Sequence, residues 1–136
     1  MIIEGTPKAQ KRHRHTSRGI VYDPSYKDKR EYIKQLLDKK PSKPYDKPLS
    51  IVVQFVMPYP KKYYRTGKYS NILKINAPRI HSIKPDIDNM LKLLLDVLQD
   101  AEYIKDDSLI TNIFASKRYG KDPHTEFEIY QTGEHG

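Results

Sequence analysis

The sequence predicts an α+β domain, a mixed or antiparallel sheet covered by two main helices, and three observations predict it. Residues 49–57 alternate in hydrophobicity at the period of a strand, residues 87–98 repeat apolar side chains at helical spacing, and two more strand-like runs lie within 109–130. A chain of 136 residues can bury one modest core but not two, so a single domain over 1–136 is expected.

Ile2 to Gly5 reads as a short opening strand, followed by a basic arm over 6–19 that holds Lys8, Lys11, Arg12 and Arg14. Asp23 and Pro24 suit an N-cap and first helical position, and Tyr26, Ile33, Leu36 and Leu37 mark one face of a helix that ends before Pro41. Prolines 41, 44 and 48 make the next stretch a connector. Leu49, Ile51, Val53, Phe55 and Met57 then form the buried face of a strand, alternating with Ser50, Val52, Gln54 and Val56. Residues 58–85 form a long polar loop of the kind that carries function in compact domains, with a short strand expected at Leu73 to Ala77. Ile87, Met90, Leu91, Leu94, Leu95 and Leu98 give the second helix its apolar face, opposite Asp88, Asn89, Lys92, Asp96 and Gln99. Leu109 to Lys117 reads as a strand, and His124 to Tyr130 as its antiparallel partner across a turn with Gly120 and Pro123.

Composition narrows the function. No apolar run approaches the roughly 20 residues that span a bilayer, and Met1 to Pro7 lacks a signal-peptide core, so a soluble cytoplasmic protein without membrane partners is expected. The absence of cysteine excludes disulfides and thiolate metal sites and leaves oxygen or imidazole ligands. Twenty-five Lys and Arg against 17 Asp and Glu give a net charge of +8, which suits a polyanionic partner. The loop sharpens this: Lys61, Lys62, Arg65, Lys68, Lys74, Arg79 and Lys84 are interleaved with Tyr59, Tyr63, Tyr64 and Tyr69, without one acidic residue. Cations for phosphate beside aromatic faces for unstacked bases are what a nucleic-acid surface needs.

In so basic a chain, the acids of Lys84-Pro85-Asp86-Ile87-Asp88-Asn89 and of Lys105-Asp106-Asp107 stand out. Residues two apart point about 200° apart on a helix, so Asp86 and Asp88 converge only if Asp86 sits at the N-cap. The structural alternative makes Asp86 an ordinary cap, Asp88 a complement to the helix dipole paired with Lys92, and Asp106-Asp107 a turn. In the functional reading, carboxylates from the helix start and from the turn meet across one notch and hold a divalent cation such as Mg²⁺. Lys92 then stabilises the charge of a phosphoryl transition state. His81 reads as loop surface more readily than as part of the site.

The run Lys84-Pro-Asp-Ile-Asp-Asn-Met-Leu-Lys92, followed after the helix by Tyr103-Ile-Lys-Asp-Asp107, resembles the signature of the RusA family of Holliday junction resolvases. Gly5-Thr-Pro-Lys8 through Arg14 is similar to the family's basic N-terminal segment. The resemblance implies that Asp86, Asp88 and Asp107 are metal-binding catalytic carboxylates and Lys92 the essential lysine, with Asn89 and Asp106 in support. It also implies Mg²⁺ or Mn²⁺, a homodimer making paired nicks in four-way DNA junctions, and an origin in bacteria or their phages. Lys8, Lys11, Arg12, Arg14, Lys61, Lys62, Arg65, Lys68, Arg79 and Lys84 are the expected DNA contacts. The family's best-known member carries an arginine run before its aspartates, where this chain has Arg79-Ile-His-Ser-Ile-Lys84-Pro85 and a longer loop upstream. Two symmetric cuts in a pseudo-two-fold junction also match a C2 dimer, for which Leu93 and Val97 are candidate surface residues. The competing readings are a non-catalytic nucleic-acid-binding module and a nuclease of other branched DNA or RNA.

Overall fold

In a computed structural model the described residues are 1–132 except 13, 16 and 20, with backbone alone at 14, 15, 21 and 22. In chain order they form β1 (Ile2–Glu4), β2 (Arg14–His15), β3 (Val21–Tyr22), α1 (Tyr26–Leu36), β4 (Leu49–Pro58), α2 (Ile87–Asp100), β5 (Ile110–Gly120) and β6 (His124–Gln131). The main sheet is mixed and ordered β1-β6-β4-β5, and β2, within the expected basic arm, pairs with β3 just beyond it as a separate ribbon. Both helices pack on one face of the sheet, around a single cluster that includes Leu36, Ile51, Phe55, Leu94, Leu98, Tyr103 and Phe127. Val52 and its in-register neighbour Phe114 stay exposed on the other face.

The alternation in β4 holds through Phe55, with Leu49, Ile51, Val53, Phe55 and Met57 all buried, but Val56, expected on the opposite face, is buried as well. The last two strands differ from expectation, because β5 and β6 do not pair as a hairpin but flank β4, β5 parallel to it and β6 antiparallel. A parallel pair needs a crossover of a dozen or more residues, and α2 supplies it. The short connection Lys121–Pro123 hops across the end of β4, since Gly120 aligns with Pro58 and His124 with Val56. Gly120 is required at that hop, as a Cβ there would overlap Val56 Cγ1.

The buried face of α1 is rotated from the expected one. Tyr32 and Leu36 are buried, whereas Tyr26 and Leu37 are 63% and 51% exposed. Tyr32 can enter the core because its hydroxyl accepts the Lys8 N–H at 2.7 Å. Leu93 and Val97 of α2 are fully buried, which overturns their candidacy as dimer surface. α2 is enclosed by both the sheet and α1, so its buried arc is wider than one face and leaves only Ile87, Leu91 and Leu95 at the margin. The strand expected at Leu73 to Ala77 is reduced to one bridge between Leu73 and Tyr64, inside a loop of two 3-10 turns.

Asp23 does not occupy the N-cap; Ser25 does, and Asp23 acts as a clasp. Its carboxylate accepts from the Ser25 N–H (2.9 Å), Gln10 Nε2 (3.1 Å) and Lys29 Nζ (2.8 Å). Lys29 also reaches Asp96 of α2 at 3.4 Å. Burial alone would raise the Asp23 pKa, but these donors outweigh it and hold the carboxyl at about 2. A depressed carboxyl contributes its stability above the ordinary value of 3.8 and loses it as pH falls through 2. Asp23→Asn is therefore expected to cost about 1–3 kcal/mol at neutral pH, with the gap to the native protein closing between about pH 4 and pH 2. Urea unfolding midpoints across that range measure it, and a gap that does not change with pH refutes the clasp.

Candidate active site

Asp86 takes the N-cap position of α2, with φ −72° and ψ 141° after a cis Lys84–Pro85 peptide, yet its side chain makes no capping hydrogen bond. Asp88 lies in the first turn and, among the described residues, neither it nor Lys92 enters an ion pair. The structural roles that the spacing offered, cap and i,i+4 pair, are thus not taken up. Both carboxylates instead line one open notch of about 930 Å³, walled by His81 and Lys84 and, from β5, by Ser116 and Lys117.

Lys117 is a functional candidate that sequence reasoning missed. As one polar residue in a strand it gives no spacing signal, but β5 runs back beside α2 and brings it to the notch. Its ammonium donates to the carbonyls of Ile83 (2.6 Å) and Pro85 (2.7 Å), which fixes the approach to Asp86. His81 also differs from the expected surface residue: it is 6% exposed, and its ring lies edge-on to Tyr119 at 4.7 Å. Its Nδ1 has no hydrogen-bond partner among the described residues. Burial first, and the Lys117 charge second, push its pKa down, so the notch wall carries a neutral imidazole at physiological pH.

The basic arm reaches the same place. The Gln10 N–H donates to the Asn89 carbonyl at 2.9 Å and the Lys11 N–H to Ser25 Oγ at 2.8 Å. Lys11, Arg12, Lys84, Asp86 and Asn89 thereby line a second groove of about 560 Å³ adjoining the notch. Lys8 is exposed and Arg14 pairs with Tyr22 through its backbone, its side chain lying outside the described residues. In the loop, Lys61 and Arg65 are exposed, Lys62 and Lys68 lie over the rings of Tyr63 and Tyr69, and the Arg79 carbonyl accepts the Tyr119 N–H at 2.8 Å.

Asp106 and Asp107 lie apart from Asp86 and Asp88, and the nearer acid is Asp96, whose charge acts on Asp107. Asp106 caps a 3-10 turn, its side chain accepting the Ser108 N–H at 2.9 Å, and that bond foremost lowers its pKa. The Asp107 N–H donates to Gln99 Oε1 at 3.2 Å, and contact with Asp106 foremost raises the Asp107 carboxyl. Gln99 lies eleven residues along α2 from Asp88, about 16 Å at 1.5 Å per residue. The strand from Ile110 to Lys117 covers a further measure of the same separation, about 23 Å. Among the described residues of one chain, no three His, Asp or Glu side chains come together as a metal site. What the chain does offer is two uncommitted carboxylates on an open notch. That set fits a hard divalent cation such as Mg²⁺, which keeps several waters and takes one or two carboxylates plus phosphate oxygens.

The family model for endodeoxyribonuclease RusA matches residues 4–130. The uncharacterized protein YqaN of Bacillus subtilis (strain 168) is 32% identical over 135 residues, covering 93% of this chain and 92% of that protein.

Proposed function

The chain belongs to the RusA family of endodeoxyribonucleases, and from that premise we propose that it is a metal-dependent, structure-selective nuclease that nicks four-way DNA junctions in recombination and repair. The observation that carries the reading is the pair of Asp86 and Asp88 side chains, held in neither a capping bond nor an ion pair among the described residues and open on a notch edged by lysines. Asp86 and Asp88 are the residues that would hold a cation such as Mg²⁺ or Mn²⁺, which when bound would polarise the phosphoryl group and make a water more acidic. Lys92, one turn beyond Asp88 on the exposed flank, offsets charge that develops in the transition state. The start of α2 presents backbone N–H groups and the positive end of its dipole to the phosphate. Lys117 keeps Asp86 in place, and Lys11, Arg12 and Lys84 guide the backbone across the adjoining groove.

A homodimer enters this reading on two grounds. Paired cuts in a junction with pseudo-two-fold symmetry match a C2 pair of subunits. Asp107, if it is a ligand as the family resemblance implies, lies too far along its own α2 to reach Asp86 and Asp88, so a second copy is its source. No helix among the described residues is long and apolar enough to cross a membrane. On the family resemblance we place the protein in the cytoplasm of a bacterium, encoded by the host or a phage. That no three acids come together among the described residues of one chain favours one rival, a non-catalytic DNA-binding module.

A labelled four-way junction and a matched linear duplex, each incubated with and without Mg²⁺, separate the two. Symmetric nicks in the junction that require the metal are expected. Metal-independent binding with no cleavage would establish the binding module instead.

A further inference from the structure

The loop between β4 and α2 builds a recess that the cleavage chemistry leaves unused. It encloses about 580 Å³ and is lined by Tyr59, Lys61, Tyr64, Arg65 and Ser70 among others. Its aromatic wall is braced from behind. Tyr59 stacks on Tyr119 of β5 with centroids 4.9 Å apart and planes at 14°, and meets Tyr63 and Tyr64 edge-on, each at 6.2 Å. The bridge between Tyr64 and Leu73, with the Arg65 N–H donating to the Ile72 carbonyl at 2.8 Å, holds the outer side in place. The recess is therefore a shaped surface fixed to the sheet. An aromatic series joins it to the notch: Tyr59 lies on Tyr119, Tyr119 meets the His81 ring at 4.7 Å, and His81 lines the notch with Asp86 and Asp88.

We propose that this recess receives one unstacked nucleobase from the branch point of the DNA, its face against Tyr64 and its flanking phosphates on Lys61 and Arg65. The proposal rests on the branched-DNA nuclease reading above and adds to it a means of choosing the substrate. Bases inside a duplex are covered on both faces by their neighbours and cannot enter, whereas a base freed at a branch can. Every base has a π-face, so an aromatic wall selects open DNA without selecting sequence. Residues 58–85 contain no acid and neither do the residues that line the recess, so the loop itself does not repel the flanking phosphates.

The test uses a four-way junction with 2-aminopurine at the branch point, bound in the presence of a chelator so that no cleavage intervenes. Binding of the native protein is expected to change the fluorescence. Tyr64→Ala is expected to lose that change and to bind the junction about tenfold more weakly, with unaltered affinity for a linear duplex, while Tyr64→Phe retains both. Ser70→Trp fills the recess from an exposed position, so it should behave as Tyr64→Ala even if loss of Tyr64 disturbs the loop. A fluorescence change that survives Tyr64→Ala and Ser70→Trp overturns the proposal, as does an equal loss of affinity for junction and duplex. A native protein that prefers the junction but leaves 2-aminopurine silent overturns the recess alone. One that binds junction and duplex equally overturns the branched-substrate reading beneath it.

Discussion

Asp88→Asn is expected to lower metal-dependent junction cleavage by at least about 10²–10³-fold, the scale on which loss of one charge-stabilising group acts in a catalytic site. Junction affinity should hold within about twofold, because on the proposed reading the phosphate contacts come from the basic arm and loop and not from Asp88. The fold should be almost untouched. The Asp88 side chain is exposed and makes no ion pair among the described residues, so the substitution strands no buried partner. It removes only the dipole complement at the start of α2, about 0.3–1 kcal/mol. A nicking assay read beside a binding curve and a thermal melt checks all three quantities. Cleavage within about fivefold of the native rate would remove Asp88 from the catalytic site, whatever the binding curve showed.

The second large effect is a recovery. Asp88→Asn and Asp107→Asn are each expected to be inactive alone, and an equal mixture of the two, after subunit exchange, to regain nicking. The geometry sets this up, since Asp107 sits beside Gln99 while Asp88 lies about 16 Å back along the same helix. If each site joins Asp86 and Asp88 of one subunit to Asp107 of the other, a mixed dimer collects both substitutions in one site and leaves the second intact. Half of the dimers are mixed and each has one working site, so activity should return to about a quarter of native. The nicks should be single, not paired. A mixture that exchanges subunits yet stays inactive rules out the shared site, and full activity in Asp107→Asn alone removes that residue from the chemistry.

Much of the fold was legible because it is governed by local periodicity. The alternation of β4 and the apolar repeat of α2 each report burial directly, and Asp86 falls at the N-cap where Pro85 and the following helix place it. What escaped depends on partners far away in sequence. Gly120 and Pro123 signal a turn but not which strand comes next in the sheet, and the chain hops over β4 instead of folding back. Tyr26 and Tyr32 are equally plausible core residues by spacing; the Lys8 N–H that satisfies the Tyr32 hydroxyl decides between them. Leu93 and Val97 lie off the predicted stripe, and only the packing of α1 on α2 accounts for their burial. The acids of the candidate site were visible as a motif out of keeping with their basic surroundings. Lys117 and His81 were not, because their significance comes from a β5 that returns beside the start of α2.

β4 and β5 lie side by side although roughly fifty residues, the tyrosine loop and all of α2, separate them in the chain. Such a pairing must meet its loop-closure entropy before its contacts offer any return, and it belongs late in folding. β6 adds to the delay, because it sits between β1 and β4 and so joins the first strand to the middle of the sheet. Asp86 and Asp88 leave the ribosome well before Lys117 does, and before β1 has any strand to pair with. The nascent chain therefore carries its basic arm and loop before it has a notch. The notch is complete only once β5 has joined the sheet beside β4 and brought Ser116 and Lys117 to it.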